Sequence, residues 1–455
     1  MEESCAASDA SLLRVMRFFY PHYRCFVLSR LDLRGVADLR GRLPRPSVGG
    51  DEAAVVRAVR EILASVRDRG DAAVRELTER FDGVMVDEIA VPPADWKRAL
   101  DSIDAPLRAA LEASADAIDA FQRAEAAPDV QWVRDGLTVR TRRIPVDRAG
   151  CYVPGGRAVY PSTVLMTAVP AKVAGVGEVV LCVPPDRTGR VPDVVLAAAA
   201  VAGVDAVFRI GGAQAIGAMA YGTESVPAVD VVVGPGNAYV AVAKREVAGE
   251  GRVGVPSAFT GPSEVVVVAD ASAPATYAAV DIIVQAEHGP DGLAWLITWS
   301  DDVADAVLAE VASLVAQAPR RADIDATLDR NGRGVLVDGP EQAIAVANLI
   351  APEHLELLVA DPEALVSLVR HAGAVFCGPW APASIGDYVA GPSHVLPTYG
   401  SARFAGALTV DDFTKAVHIV DVDRTAFDRL APHVEAFARA EGLEAHAESV
   451  RVRKR

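Results

Sequence analysis

Between residues 176 and 247 the chain alternates short apolar runs with helical ones, and no other feature limits its fold as much. Residues 176–183, 206–210 and 229–233 are short, mostly apolar runs. Runs of this kind are the form strands take when helices cover both faces of a parallel sheet. Residues 192–202, 213–221 and 238–247 read as helices. The pattern is βαβαβ, one doubly wound unit. A second α/β region spans 263–404, with strands predicted at 265–268, 293–299, 334–337, 355–359 and 374–377. The expected fold class is therefore α/β: two incomplete Rossmann-like doubly wound domains, with small helical or tail segments at the two ends.

At 455 residues the chain is too long for one ordinary core. Residues 1–26 are aromatic and basic around Arg17-Phe18-Phe19-Tyr20, unlike the rest, and are expected to be a dispensable or disordered leader. Residues 27–150 form an N-terminal helical part, partly belonging to the main α/β domain. It holds helical patterns at 51–80 and 93–126 and a strand pair at 132–143 that turns at Asp135-Gly136. Residues 151–262 make the first doubly wound unit and 263–404 the main α/β domain. Residues 405–455 form a C-terminal tail with two short helical runs.

The net charge of −16 argues against a nucleic-acid or anionic-membrane partner and favours a cytoplasmic protein. The most apolar long stretch, 161–183, is interrupted by Pro170, Lys172 and Glu178, so no membrane span is expected. Cys5, Cys25, Cys151, Cys182 and Cys377 are scattered and odd in number, which excludes a disulfide framework and a cysteine zinc site. Most of them are expected to be small buried apolar residues.

The stretch richest in chemistry is Ala351-Pro352-Glu353-His354-Leu355-Glu356-Leu357. Pro352 biases Ala351 away from the helical region, so the preceding helix should stop there. Glu353 and His354 then lie on a turn between a helix and a strand. A carboxylate beside an imidazole offers two proton acceptors of different pKa. The same pair also reads as a solvated surface pair.

Other stretches carry similar alternatives. Pro154-Gly155-Gly156, Gly211-Gly212-Ala213-Gln214 and Gly234-Pro235-Gly236-Asn237 are glycine-rich, and the last two follow predicted strands. Such turns let backbone amides approach a phosphate, or are ordinary turns; none completes GxGxxG. Gln285 and His288 are three residues apart and would share a helical face, a spacing open to metal ligation or to none. Asp387 and His394 share a glycine-punctuated loop, and Glu441 and His446 lie near the C-terminus. His22, His371, His418 and His433 have no such setting and are expected to be structural or surface residues.

Taken in order, these segments resemble histidinol dehydrogenases. The resemblance rests on Tyr152-Val153-Pro154-Gly155-Gly156, Gly234-Pro235-Gly236-Asn237, Gly261-Pro262-Ser263-Glu264, Gln285-Ala286-Glu287-His288-Gly289-Pro290-Asp291, Pro352-Glu353-His354-Leu355-Glu356, Gly386-Asp387-Tyr388, His394-Val395-Leu396-Pro397-Thr398 and Glu441-Gly442-Leu443 followed by Ala445-His446. It implies a zinc- and NAD-dependent enzyme of histidine biosynthesis that oxidises L-histidinol to L-histidine through L-histidinal. By position it implies Gln285, His288, Asp387 and His446 as ligands of one zinc per subunit. Glu353 would activate water and His354 would be the general base. Ser263 and Glu441 match substrate contacts, alongside Gln285, His288, Glu353, His354, Asp387 and His446. Tyr152, Gln214 and Asn237 match NAD contacts. The resemblance also implies a homodimer in which the tail, through Glu441 and His446, completes the partner's site. It assigns His394 no definite role.

Overall fold

Gly70 adopts φ 55° and splits the first helical run into α1 (Glu52–Arg69) and α2 (Asp71–Asp82), where one continuous helix is predicted. The second run also divides, into α3 (Pro93–Ser102) and α4 (Ala105–Glu125). Asp104 caps α4 by accepting from Leu107 N at 2.8 Å, and this local bond competes with continuing the earlier helix. The computed structural model describes residues 28–43, 52–156, 158–257, 261–289 and 291–454. The predicted leader lies outside the described residues.

Strands β1 (Ser29–Asp32), β2 (Val130–Arg134) and β3 (Leu137–Pro145) precede the first α/β unit. That unit holds β4 (Arg148–Tyr152), α5 (Pro161–Ala174), β5 (Glu178–Cys182), α6 (Asp193–Ala202), β6 (Ala206–Phe208), α7 (Gly212–Tyr221), β7 (Val231–Val233) and α8 (Ala238–Gly249). Its strands form a parallel four-stranded sheet in the order β6-β5-β4-β7. The first strand–helix pair, β4 and α5, is absent from the predicted pattern. β4 carries glycine and arginine in a short run, and α5 has Pro170 inside it. Both signals point away from regular structure, yet burial on both faces overrides them.

The second unit runs through β8 (Glu264–Ala269), α9 (Ala275–Ala286), β9 (Leu293–Thr298), α10 (Asp301–Gln317), α11 (Arg321–Asn331), β10 (Gly332–Leu336), α12 (Pro340–Ile350), β11 (His354–Leu358), α13 (Pro362–Val366), β12 (Ala374–Cys377) and α14 (Ala383–Tyr388). Its strands lie within a residue or two of the predicted ones. They form a parallel six-stranded sheet in the order β1-β10-β9-β8-β11-β12, with β1 from the N-terminal part on the edge.

Each sheet is covered on both faces. Cys151, Leu181 and Val233 face a core shared with α5 and α6, while Val180, Cys182 and Val232 face α1, α2, α7 and α8. Val265, Val267 and Leu296 face α9 and α10, whereas Val266, Val268, Leu355 and Leu357 face α12. The alternation is the two-residue strand period expressed between two helical layers. The helices of the N-terminal part thus pack on the four-stranded unit, while β1 and the segment after it, through Leu33, Leu39 and Leu43, join the six-stranded one.

The tail is more than two helices. β13 (Thr414–Val422) pairs antiparallel with β3 along nine residues and closes a three-stranded sheet in the order β13-β3-β2. α15 (Arg424–Ala440) and α16 (Glu444–Arg451) follow. Among the described residues no helix is long and apolar enough to cross a membrane. Cys151 and Cys182 are buried as expected, and Cys377 is exposed.

Candidate active site

Ala351 ends α12 in the left-handed region at φ 54°. A side chain pays for that conformation in strain of about 1–2 kcal/mol. The turn brings Glu353 and His354 to the N-terminal edge of β11, His354 being its first residue. Both are buried. Gly373 is required here, because a Cβ would meet the Glu353 carbonyl at 2.6 Å.

The neighbouring strand meets this edge with Glu264. Glu264 N donates to Glu353 Oε2 at 2.8 Å, and Glu353 N donates to Glu264 Oε2 at 3.3 Å. Tyr399 N donates to the other oxygen of Glu264 at 3.1 Å. Burial, helped by the charge of Glu353, pushes Glu264 up to about 8.

His354 Nδ1 lies 3.0 Å from the Glu264 carbonyl and so carries a proton as donor. Its Nε2 lies 3.4 Å from Asp387 Oδ1 and has no hydrogen-bond partner. The ring stacks on Phe376 at 5.8 Å. Burial works against the imidazolium, but Glu353 and Asp387 outweigh it and hold His354 well above its ordinary value. Burial likewise opposes the Asp387 carboxylate, yet His354, His394 and His288 keep it below the ordinary carboxylate value.

His394 links this cluster to the first unit. Its Nδ1 donates to the Asp387 carbonyl at 3.0 Å, and its Nε2 meets Thr163 Oγ1 on α5 at 3.1 Å. Both nitrogens are engaged, and burial keeps the ring neutral. His394 therefore pins the Asp387 segment.

Gln285 and His288 stand at the end of α9, close to Asp387. His288 Nδ1 donates to the Val284 carbonyl at 3.1 Å, which leaves Nε2 as the lone-pair atom. Gln285 is buried, and its Nε2 has no partner. An orphaned buried amide is costly unless something outside the chain meets it. An amide oxygen, an imidazole nitrogen and a carboxylate suit a zinc ion, and these three residues fit one in part. Among the described residues no group of three or more His, Cys, Asp or Glu side chains is arranged to hold a metal.

Glu441 and His446 are exposed at the far end of α15 and on α16. Among the described residues no hydrogen bond or ion pair joins either one to the Glu353–His354 cluster. Ser263 immediately precedes β8 beside Glu264 and is half-buried.

Two carboxyls at the site carry no sequence expectation. Glu356, two residues beyond His354 on the same strand face, accepts from Ala383 N at the start of α14 at 3.0 Å. Burial and the charge of Asp281 on α9 hold it well above the ordinary carboxylate value. Burial raises Asp281 as well, so both acids disfavour their charged forms, and Glu356 links β11 to α14 through Ala383 N. Glu264 and Glu356 each interrupt an apolar strand run, and a charge inside a doubly covered strand is the signal that could have found them.

The predicted dinucleotide contacts gather elsewhere. Tyr152, Gln214 and Asn237 line one cleft of about 980 Å³ at the C-terminal edge of the four-stranded sheet. Tyr152 Oη accepts from Gly212 N at 3.1 Å, at the start of α7. Asn237 caps α8 by accepting from Tyr239 N and Val240 N. Gly234 must be glycine, since a Cβ there would meet Tyr152 O at 2.0 Å. The buried Lys244 staples this turn, donating to Gly234 O at 2.7 Å and to Ser257 O at 2.5 Å. Both atoms of the Gln214 amide are buried without a partner. Tyr160 lines the same cleft and lies within electrostatic reach of Tyr388, next to Asp387.

The chain is similar to known proteins. The sequence model of the histidinol dehydrogenase family matches residues 47–454. The chain is 49% identical to the histidinol dehydrogenase of Parasynechococcus marenigrum over 413 residues, covering 90% of this chain and 94% of that protein. It is 45% identical to that of Geobacillus kaustophilus over 398 residues, covering 87% and 93%. The crystal structure of histidinol dehydrogenase from Elizabethkingia anophelis superposes with a TM-score of 0.89 at 31% identity, covering 95% of this chain and 99% of that one.

Proposed function

The chain belongs to the histidinol dehydrogenase family, and from that premise we propose that it oxidises L-histidinol to L-histidine through L-histidinal, with reduction of two NAD+. The observation that carries this reading is the buried Glu353–His354 pair facing Asp387, in a chain that also holds a glycine-lined cleft on its four-stranded sheet. The four-stranded sheet has the order of the first four strands of a Rossmann sheet, and its strand ends present the helix starts of α7 and α8 to the cleft. Helix starts favour a pyrophosphate. NAD+, when bound there, accepts hydride at each step.

In this reading Gln285, His288 and Asp387 hold a zinc ion, and His446 from a second copy of the chain supplies the fourth donor. Zinc, when bound, fixes the substrate's imidazole and amine. His354 Nε2 takes the alcohol proton as hydride leaves. A cation at Asp387 would neutralise one of the two carboxylates that otherwise keep the imidazolium protonated, freeing the lone pair for that task. Glu353 then takes a proton from a water that adds to the aldehyde while the protonated His354 returns its proton to the aldehyde oxygen, and His354, neutral again, takes the hydrate's proton in the second oxidation. One enclosed site for both steps keeps the aldehyde from escaping.

The homodimer has support in unburied apolar surface on the tail and on the three-stranded sheet it joins. Every residue of β2 is exposed, and Phe437 on α15 is 72% exposed. A sheet and helix so uncovered are suited to a second copy, which would also bring Ser263 and the partner-borne Glu441 together around one substrate. The protein would act in the cytoplasm.

The test is NADH formation from L-histidinol and NAD+, before and after chelation and zinc return. Two NADH per histidinol, lost with the chelator and restored by zinc, is the expected result. One NADH per histidinol would remove the water-activating role of Glu353. No NADH from folded, zinc-loaded protein would overturn the reading.

A further inference from the structure

Asp82 is the last residue of α2, and its side chain lines the cleft that holds Tyr152 and Gln214. Its Oδ2 is buried and has no hydrogen-bond partner. A helix C-terminus is a poor place for a carboxylate, since the peptide dipoles oppose it. Among the described residues no cation pairs with it, and burial pushes the group up to about 6. An acid that is unpaired, partly desolvated and set against a helix dipole costs stability and gives the fold nothing in return. Its neighbours across the cleft include Tyr152, whose hydroxyl feels the Asp82 charge, and the equally unpartnered Gln214 amide.

In a dinucleotide sheet of this strand order, an acid beyond the second strand usually accepts from the adenosine ribose. Here the acid in that place is Asp186, beyond β5. Its Oδ1 is held in its own turn, accepting from Thr188 N at 2.8 Å, Thr188 Oγ1 at 2.6 Å and Arg190 N at 3.1 Å. The cleft carries a second acid, Asp82, whose buried Oδ2 accepts from nothing among the described residues.

We propose that Asp82 reads the adenosine ribose of the dinucleotide: its carboxylate accepts a hydrogen bond from the ribose hydroxyls of NAD and repels the 2′-phosphate of NADP. The inference rests on the proposed use of this cleft for NAD. Arg80 and Arg187 line the same cleft, so removing the Asp82 charge would leave cations free to receive that phosphate.

The experiment is Asp82→Asn in the full chain, an isosteric change to a group with no internal bond at Oδ2. Steady-state kinetics with L-histidinol would be run against NAD+ and NADP+, alongside fluorescence titration of NADH and NADPH. The expected result is a KM for NAD+ raised about tenfold at unchanged kcat, with a matching loss of NADH affinity. The preference for NAD+ over NADP+ should fall by more than that, because NADP+ improves. Unchanged NADH affinity and unchanged preference would overturn the proposal, as would a fall in kcat with KM unaltered. Wild-type turnover separates the two readings. If wild-type protein turns over NAD+ and Asp82→Asn behaves identically, only the ribose assignment fails. If wild-type protein binds neither NADH nor NADPH, the use of the cleft for NAD fails with it.

Discussion

The two parallel sheets present their chemistry at opposite ends. The four-stranded sheet uses its C-terminal edge, where glycine turns and helix starts leave polar groups such as Gln214 and Asp82 without partners. The six-stranded sheet uses its N-terminal edge, where Glu264, Glu353, His354 and Asp387 are packed against one another. One edge is built to be completed by a ligand. The other is largely completed by its own chain, and its acids and bases set each other's protonation. The difference shows that two similar windings can serve two tasks. Backbone amides at strand ends suit binding a phosphate, whereas side chains crossing between β8 and β11 suit moving protons.

That contrast can be broken at four places. The largest effect is expected at His354. His354→Asn removes the proton acceptor of both steps and should lower each by about a thousandfold, measured with L-histidinol and L-histidinal supplied separately. A variant that keeps either step would show that the closed cluster is not where protons move. Glu353→Gln should be selective: about a hundredfold loss on the aldehyde step and less than tenfold on the alcohol step. Equal loss on the two would end the division of labour between the pair. At the open edge, Asp82→Asn should act on cofactor affinity and leave kcat alone, which no change within the closed cluster should do.

Glu264→Gln should have the smallest effect on turnover and a distinct one on stability. Burial and the Glu353 charge raise Glu264 from 4.5 to about 8 in the folded chain. A raised carboxyl contributes stability fully below its unfolded pKa and loses that contribution as pH rises through the folded one. Stability should therefore decline between about pH 4.5 and 8 by at most about 5 kcal/mol from this group. Urea unfolding at pH 5.5 and 8.5 would show it. The glutamine variant should have a flatter slope; an identical slope would mean that Glu264 is ionised throughout.

Much of the strand pattern was legible because a doubly covered strand has a simple signature. Apolar runs such as Val265-Val266-Val267-Val268 must be buried on both faces, and the structure places them so. β4 and β13 were not legible. β4 is short and interrupted by Gly150, and β13 alternates apolar with polar residues that remain mostly exposed. Its order comes from pairing with β3, a contact between segments far apart in the chain.

The sequence alone determined the ordered set of chemical segments and the family they resemble, because those depend on residue identity and order. It also placed Glu353 and His354 at a helix-to-strand junction, since Pro352 acts locally. Only the tertiary structure decided which groups meet. Glu264 reaches Glu353 because β8 and β11 are neighbours in the sheet, and His394 grips Asp387 because α5 lies behind it. The free carboxylate of Asp82 facing the cleft is of the same kind. Whether an acid is paired depends on what the fold brings within about 3 Å of it, and the chain order does not contain that distance.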